Sequence, residues 1–318
     1  MEGTGKITCQ FKPKVEITPF ESDEAAIGDF KWRVSGKEAC TKKYLSIEDL
    51  QISCSYDGPK TTLWSCEAKG IVTTTPDDEG DDARDSKMWT HFFHFLNPIE
   101  SNKSDLMKVK WGELDPESRS YVLDCDWKET VEVEREITKS RIINLSSSTN
   151  EMIASPDDAA CVEVDGEKLW LSKKILSFHS PFFSTFFNGN FKKKATKQKS
   201  GSYALKEVDL DEFLHFMALI YNMDVFIDQE SVSYLLRLGD MYQCVSIVRQ
   251  CHAFLKSADA ESMAIETKIR LADRYSFLFL LQTWIQKMPV NKLKKFVKNG
   301  DHNQLSDFAQ NLLCERFV

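Results

Sequence analysis

The chain has 318 residues, 42% hydrophobic and 28% charged, a normal mix for a folded protein and enough for two ordinary cores. A formal charge of −8 argues against nucleic acid or an anionic membrane as the partner of the whole molecule. No apolar run approaches about eighteen residues and no basic start leads into a greasy core, so neither a span nor a secretion signal is expected. The nine cysteines are scattered, with no C-x-x-C pair. That spacing points to reduced thiols inside the cell, in cytoplasm or nucleus, and away from a disulfide framework or a zinc ribbon.

Apolar residues alternate with polar ones in the first half. Trp64, Cys66 and Ala68 share one parity, while Tyr121, Leu123, Cys125, Trp127, Val131, Val133 and Ile137 share another, interrupted by Glu129 and Arg135. Period two marks half-buried strands, and turn chemistry at Asp57-Gly58-Pro59, Asn97-Pro98 and Asp115-Pro116 separates the runs. The expectation is an all-β antiparallel sandwich over residues 6–140. Residues 141–158 end in a Ser-, Asn- and Asp-rich stretch and read as a linker.

Beyond the linker the period changes. Cys161 to Val164, Asp165-Gly166 and Glu167 to Leu171 read as a hairpin. Ser172 stands at a helix N-cap position before Lys173, Lys174, Ile175, Leu176 and Phe178, and Pro181 opens a second short helix. A hydrophobic helix is predicted from Asp211 to about Tyr221. The element Leu236 to Tyr242 recurs 33 residues later as Ile269 to Tyr275, each copy followed by an apolar helical stretch, which predicts a helical hairpin repeated once. The second half is therefore α+β, with a helical extension over residues 258–318.

Little in the chain points to catalysis. It has no Gly-rich phosphate loop, no His-Glu-x-x-His and no Gly-x-Ser-x-Gly, so neither an enzyme nor a cofactor is expected. His91 and His94 are three apart on a predicted strand and face opposite sides, a poor start for a metal site. Cys244, Cys251 and His252 read as packing residues. The acidic run Asp77 to Asp82 lacks the spacing of a calcium loop, and the basic run Lys192 to Lys199 reads as an exposed loop between helix and strand in preference to a nuclear-import signal or a phosphate contact. Phe178, Phe182, Phe183, Phe186, Phe187 and Phe191 are more informative: either all six are core, or some reach the surface for a partner.

Residues 159–257 resemble a BTB (POZ) domain. The resemblance is carried by Val162-Glu163-Val164-Asp165-Gly166, Lys173-Lys174-Ile175-Leu176, Ser180-Pro181-Phe182-Phe183, Phe186-Phe187, Tyr203-Ala204-Leu205, Val208-Asp209-Leu210 and Leu236-x-x-Gly239-Asp240-x-Tyr242. Two positions depart from the family pattern. Ser172-Lys173 stands where His-Lys is usual, and the family's buried Asp before the first strand has no exact match, Asp158 lying one position early. The first half is similar to a MATH domain, the TRAF-type sandwich, through Phe30-Lys31-Trp32, Tyr44-Leu45-Ser46, Cys54, Trp64, Trp111-Gly112 and Tyr121-Val122-Leu123. The helical tail would then be a truncated, BACK-like extension.

That resemblance implies a substrate adaptor of a cullin-3 RING ubiquitin ligase, intracellular and homodimeric through BTB, with MATH gripping an unknown substrate protein. It implies a dimer face at Lys174, Ile175 and Phe178. A cullin face would use Phe182, Phe183, Phe186, Phe187, Phe191 and Lys193, the last a lysine where cullin-binding members carry Glu. Trp111 is the one position carried over for a substrate groove. The alternative is a BTB-mediated homodimeric scaffold or transcriptional cofactor without a ligase.

Overall fold

A computed structural model describes residues 3–11, 18–40, 45–76, 85–96, 107–110, 129–188 and 202–316. The chain divides into two compact units, Met1–Glu151 and Met152–Val318.

The first unit is built from strands β1 (Gly3–Phe11), β2 (Thr18–Glu21), β3 (Ala25–Ile27), β4 (Phe30–Cys40), β5 (Leu45–Tyr56), β6 (Thr62–Pro76), β7 (Asp85–His94), β8 (Met107–Lys110) and β9 (Glu129–Asn144). One sheet has the order β1-β9-β6-β7; the other has β2-β4-β5-β8, with β3 on β4. Every pair is antiparallel. The predicted alternation is the reason: Trp32, Val34, Ile52, Cys54, Cys66, Ala68, Phe93, Val131, Val133 and Ile137 all turn inward to one core. Trp32 and Phe93 meet edge to face at 5.2 Å within that core. Cys54 pairs with Trp32 and Cys66 with Phe93, so these thiols are deep packing groups, and burial pushes the Cys54 thiol well above its ordinary pKa. The strand β9 runs four residues past the predicted boundary at 140, and Leu145 beyond it is still buried.

At Arg135 the alternation does not break. Its side chain keeps the inward parity, 3% exposed, with the guanidinium 4.9 Å from the centre of the Trp32 ring. Burial lowers its pKa to about 10, so it still carries its charge at neutral pH. Its cross-strand neighbours are Gly5 on β1 and Gly70 on β6. At Gly70 the chains approach so closely that a Cβ would lie 1.8 Å from the Glu134 carbonyl oxygen. Backbone cannot yield as a flexible side chain does. Gly70→Ala is therefore expected to cost about 1–3 kcal/mol, read as a lower urea midpoint at unchanged slope.

The second unit starts with β10 (Ala159–Val164) and β11 (Glu167–Ser172), joined through Asp165 and Gly166, both at positive φ (50° and 82°). That is the predicted tight hairpin, its backbone hand matched to the strand twist. Helices α1 (Lys173–His179) and α2 (Pro181–Asn188) follow, then β12 (Tyr203–Leu205), which pairs parallel with β10. The predicted hydrophobic helix is α3 (Leu210–Ile220), and Asp209 caps it by accepting from the N–H groups of Asp211 and Glu212.

The remaining helices are α4 (Ser231–Met241), α5 (Val245–Lys256), α6 (Ile265–Arg274), α7 (Leu278–Lys287), α8 (Val290–Lys298) and α9 (Asp307–Glu315). The predicted repeat is visible in the turns. After α4, Gln243 takes φ 53° while Tyr242 N–H bonds Leu238 O at 2.9 Å and Cys244 N–H bonds Gly239 O at 2.7 Å. After α6, Ser276 takes φ 56°, with Tyr275 N–H on Leu271 O at 3.0 Å and Phe277 N–H on Ala272 O at 2.7 Å. Both copies close their helix with the same left-handed cap, which turns the chain into the next helix.

Candidate partner-binding surface

The surface around α1 and α2 is fixed from beneath by one buried carboxylate. Asp158 ends a short turn at Pro156–Asp158 and is only 3% exposed. One of its oxygens accepts from the Lys174 N–H at 2.9 Å. The other accepts from the Ser172 hydroxyl at 2.8 Å and the Ala154 N–H at 3.1 Å. Burial alone would raise its pKa, but these donors and the Lys174 charge outweigh burial and hold the carboxyl below its ordinary value. Asp158 is thus a buried aspartate directly ahead of the first strand of this unit. Ser172 suits its departure from His as well, since its hydroxyl also accepts from the Ile175 N–H at 3.2 Å and caps α1.

On α1, Leu176 faces the core, Ile175 is half-buried, and Lys174 lies in solvent. Phe178 is 86% exposed. A second serine cap, Ser180, sets the angle of α2: its hydroxyl accepts from the Phe183 N–H at 3.1 Å and donates to the Tyr242 carbonyl.

The phenylalanines of α2 divide between core and surface. Phe183 is fully buried and Phe187 is 8% exposed, so neither offers its ring to a partner, and both leave the predicted cullin-facing set. The reason is two tyrosines distant in sequence. Tyr242 receives Phe182 at 5.2 Å and Phe183 at 4.9 Å, and Tyr203 receives Phe186 at 5.1 Å and Phe187 at 5.3 Å. Phe182 and Phe186 remain half-buried and stack on each other at 5.5 Å. Sequence reasoning also passed over Met241 and Val245, 44% and 56% exposed, which bracket Tyr242. Phe191, Lys193 and the groove candidate Trp111 lie outside the described residues.

The sandwich has a surface of its own. A hollow of about 540 Å³ crosses the β1-β9-β6-β7 sheet between Thr4, Lys6, Lys69, Ile71, Met88 and Glu136. Met88 is 80% exposed on its wall. His91 on β7 packs against Phe93 at 4.8 Å, and burial lowers its pKa. Among the described residues no group of three or more His, Cys, Asp or Glu side chains could hold a metal ion, and no helix is long and apolar enough to cross a membrane.

Comparison with known proteins places these features. Residues 156–259 match the BTB/POZ domain family. The chain is 25% identical over 310 residues to BTB and MATH domain-containing protein 38 of Caenorhabditis elegans, covering 95% of this chain and 74% of that protein. It is 22% identical to BTB and MATH domain-containing protein 36 of the same organism, over 81% of this chain and 78% of the relative. Kelch repeat and BTB domain-containing protein 4 of Homo sapiens is 27% identical over 115 residues, 36% of this chain and 21% of that protein. Residues 156–259 are therefore a BTB/POZ domain behind an antiparallel β sandwich, and the chain has the layout of the BTB and MATH domain-containing proteins.

Proposed function

We propose that this protein is a substrate-recruiting adaptor of a cullin-3 RING ubiquitin ligase. Its BTB domain dimerises through Lys174, Ile175 and Phe178, and the half-buried pair Phe182 and Phe186 faces cullin beside Met241 and Val245. Phe178 carries the reading. A ring left 86% in water on a helix whose Leu176 packs inward and whose Ile175 is half-buried forfeits about 2 kcal/mol of transfer energy, and a second copy of the same helix would recover it. The MATH-like sandwich recruits the substrate, with Trp111 as the groove residue. No bond is made or broken by the adaptor itself. It contributes proximity, and a dimer adds avidity for substrates with two weak motifs.

The scaffold reading has its own support in Lys193, a cation two positions after Phe191, where cullin-binding BTB domains carry Glu. Light scattering on a sizing column separates the two. The full chain is expected to run as a dimer and to form a 2:2 complex with the cullin-3 N-terminal domain. Phe178→Glu should give a folded monomer, and Phe186→Ala should weaken cullin binding about tenfold while leaving the dimer intact. A wild-type dimer that ignores cullin establishes the scaffold instead. A wild-type monomer overturns both.

A further inference from the structure

The helix α8 reverses the charge of the molecule around it. Against a chain of net charge −8, residues 287–298 hold Lys287, Lys292, Lys294, Lys295 and Lys298 and no acid. All five lysines are exposed, and among the described residues none is within ion-pair distance of a carboxylate. The apolar side of the helix is already used: Leu293 is fully buried and Phe296 is 2% exposed. What remains outward is a strip of cations along a helix about 14 Å long, nine residues at about 1.5 Å each. Crowding like charges at this spacing is unfavourable unless a counter-charge covers them.

We infer that the exposed face of α8 is a docking strip for an extended acidic peptide segment of a partner protein. Charge complementarity sets the sign, and spacing sets the conformation. Lys292, Lys295 and Lys298 are three apart and Lys294 and Lys298 four apart, which places neighbours about 5–6 Å from one another. In an extended peptide, side chains on one side recur about every 6.6 Å, so acids at alternate positions meet successive lysines with little adjustment. A lipid surface fits less well. An interfacial helix inserts its apolar face, and here that face is packed inside the fold. A single nucleic acid strand fits less well too, because the exposed arc offers no aromatic ring on which a base could stack. The inference stands on this helix alone and holds or fails independently of cullin binding.

The test uses the full chain and fluorescent peptides of about twelve residues with Glu at alternate positions, compared with a block permutation of the same composition. The expected result at about 0.1 M salt is tighter binding of the alternating peptide, weakening steeply as salt rises. The double variant Lys294→Glu/Lys298→Glu should weaken that binding at least about tenfold. Lys206→Glu, an exposed charge reversal elsewhere in the second unit, should leave it unchanged, and circular dichroism should show both variants folded. Phosphatidylserine vesicles and a single-stranded oligonucleotide serve as rival probes. The inference is overturned if the alternating peptide does not bind, if Lys206→Glu is as damaging as the α8 pair, or if vesicles or oligonucleotide bind better than the peptide.

Discussion

Replacing Asp158 by Ala is expected to destabilise the BTB domain by about 3–5 kcal/mol. The change removes an acceptor shared by three donors, the Lys174 N–H, the Ala154 N–H and the Ser172 hydroxyl. Each buried donor left without a partner costs about 1–3 kcal/mol, and hydrogen bonds to a charged group stand at the upper end. Partial access of water to the Ala154 end keeps the total below the simple sum. The effect also depends on pH in a stated direction. The folded carboxyl titrates below its ordinary value, so at acid pH the unfolded chain binds more protons than the folded one. The contribution is complete above the unfolded pKa of about 3.9 and disappears as pH falls through the folded value. Urea titrations of wild type and Asp158→Asn should show a gap in stability that is constant from about pH 7 to about pH 5 and narrows below about pH 4. A gap that stays the same at the acid end would mean that the carboxylate charge is not what the three donors require.

Phe183→Ala should cost a similar amount, about 3–5 kcal/mol, for a different reason. The ring is fully buried between Tyr242 at 4.9 Å and Phe187 at 5.9 Å, and its removal leaves a cavity that two short capped helices cannot close. The contrast lies five residues earlier. Phe178→Ala removes a ring that touches little beyond His179, so monomer stability should change by less than about 0.5 kcal/mol. Thermal melts at protein concentrations low enough that wild type and both variants are monomeric therefore separate core from surface: a large fall in Tm for Phe183→Ala beside an unchanged value for Phe178→Ala. Similar losses at both positions would place Phe178 in the core and remove the observation on which the dimer face rests.

The amino-acid pattern made much of this legible. The hairpin at Asp165-Gly166, the Ser172 cap and the helical repeat all follow from local rules, because each is decided by residues within a few positions of one another. The two-sheet sandwich was legible from alternation for the same reason. Arg135 was not: a cation in an apolar series looks like an interruption until Trp32, a hundred residues upstream in the opposite sheet, supplies the ring beneath it. The phenylalanine helix failed similarly. Spacing shows that six aromatic rings crowd one segment, but only the distant Tyr203 and Tyr242 decide which of them are absorbed. Asp158 was legible only as an acid one position from the expected place; its burial beneath α1 depends on the turn at Pro156–Asp158, which residue spacing alone does not reveal.

The pairing of β12 with β10 sets the order in which the BTB sheet can be completed. Its partner on the other side, β11, arrives at once through a two-residue turn, whereas Val162 must wait for Tyr203 at the far side of α1 and α2. Until β12 arrives, β10 presents an open row of backbone donors and acceptors flanked by Val162 and Val164, the kind of unguarded edge on which a second nascent chain can template itself. A chain interrupted before Leu205 would hold that edge open permanently. The three residues of β12 thus do more than extend a sheet: they are the cover that separates a finished domain from an aggregation-prone one.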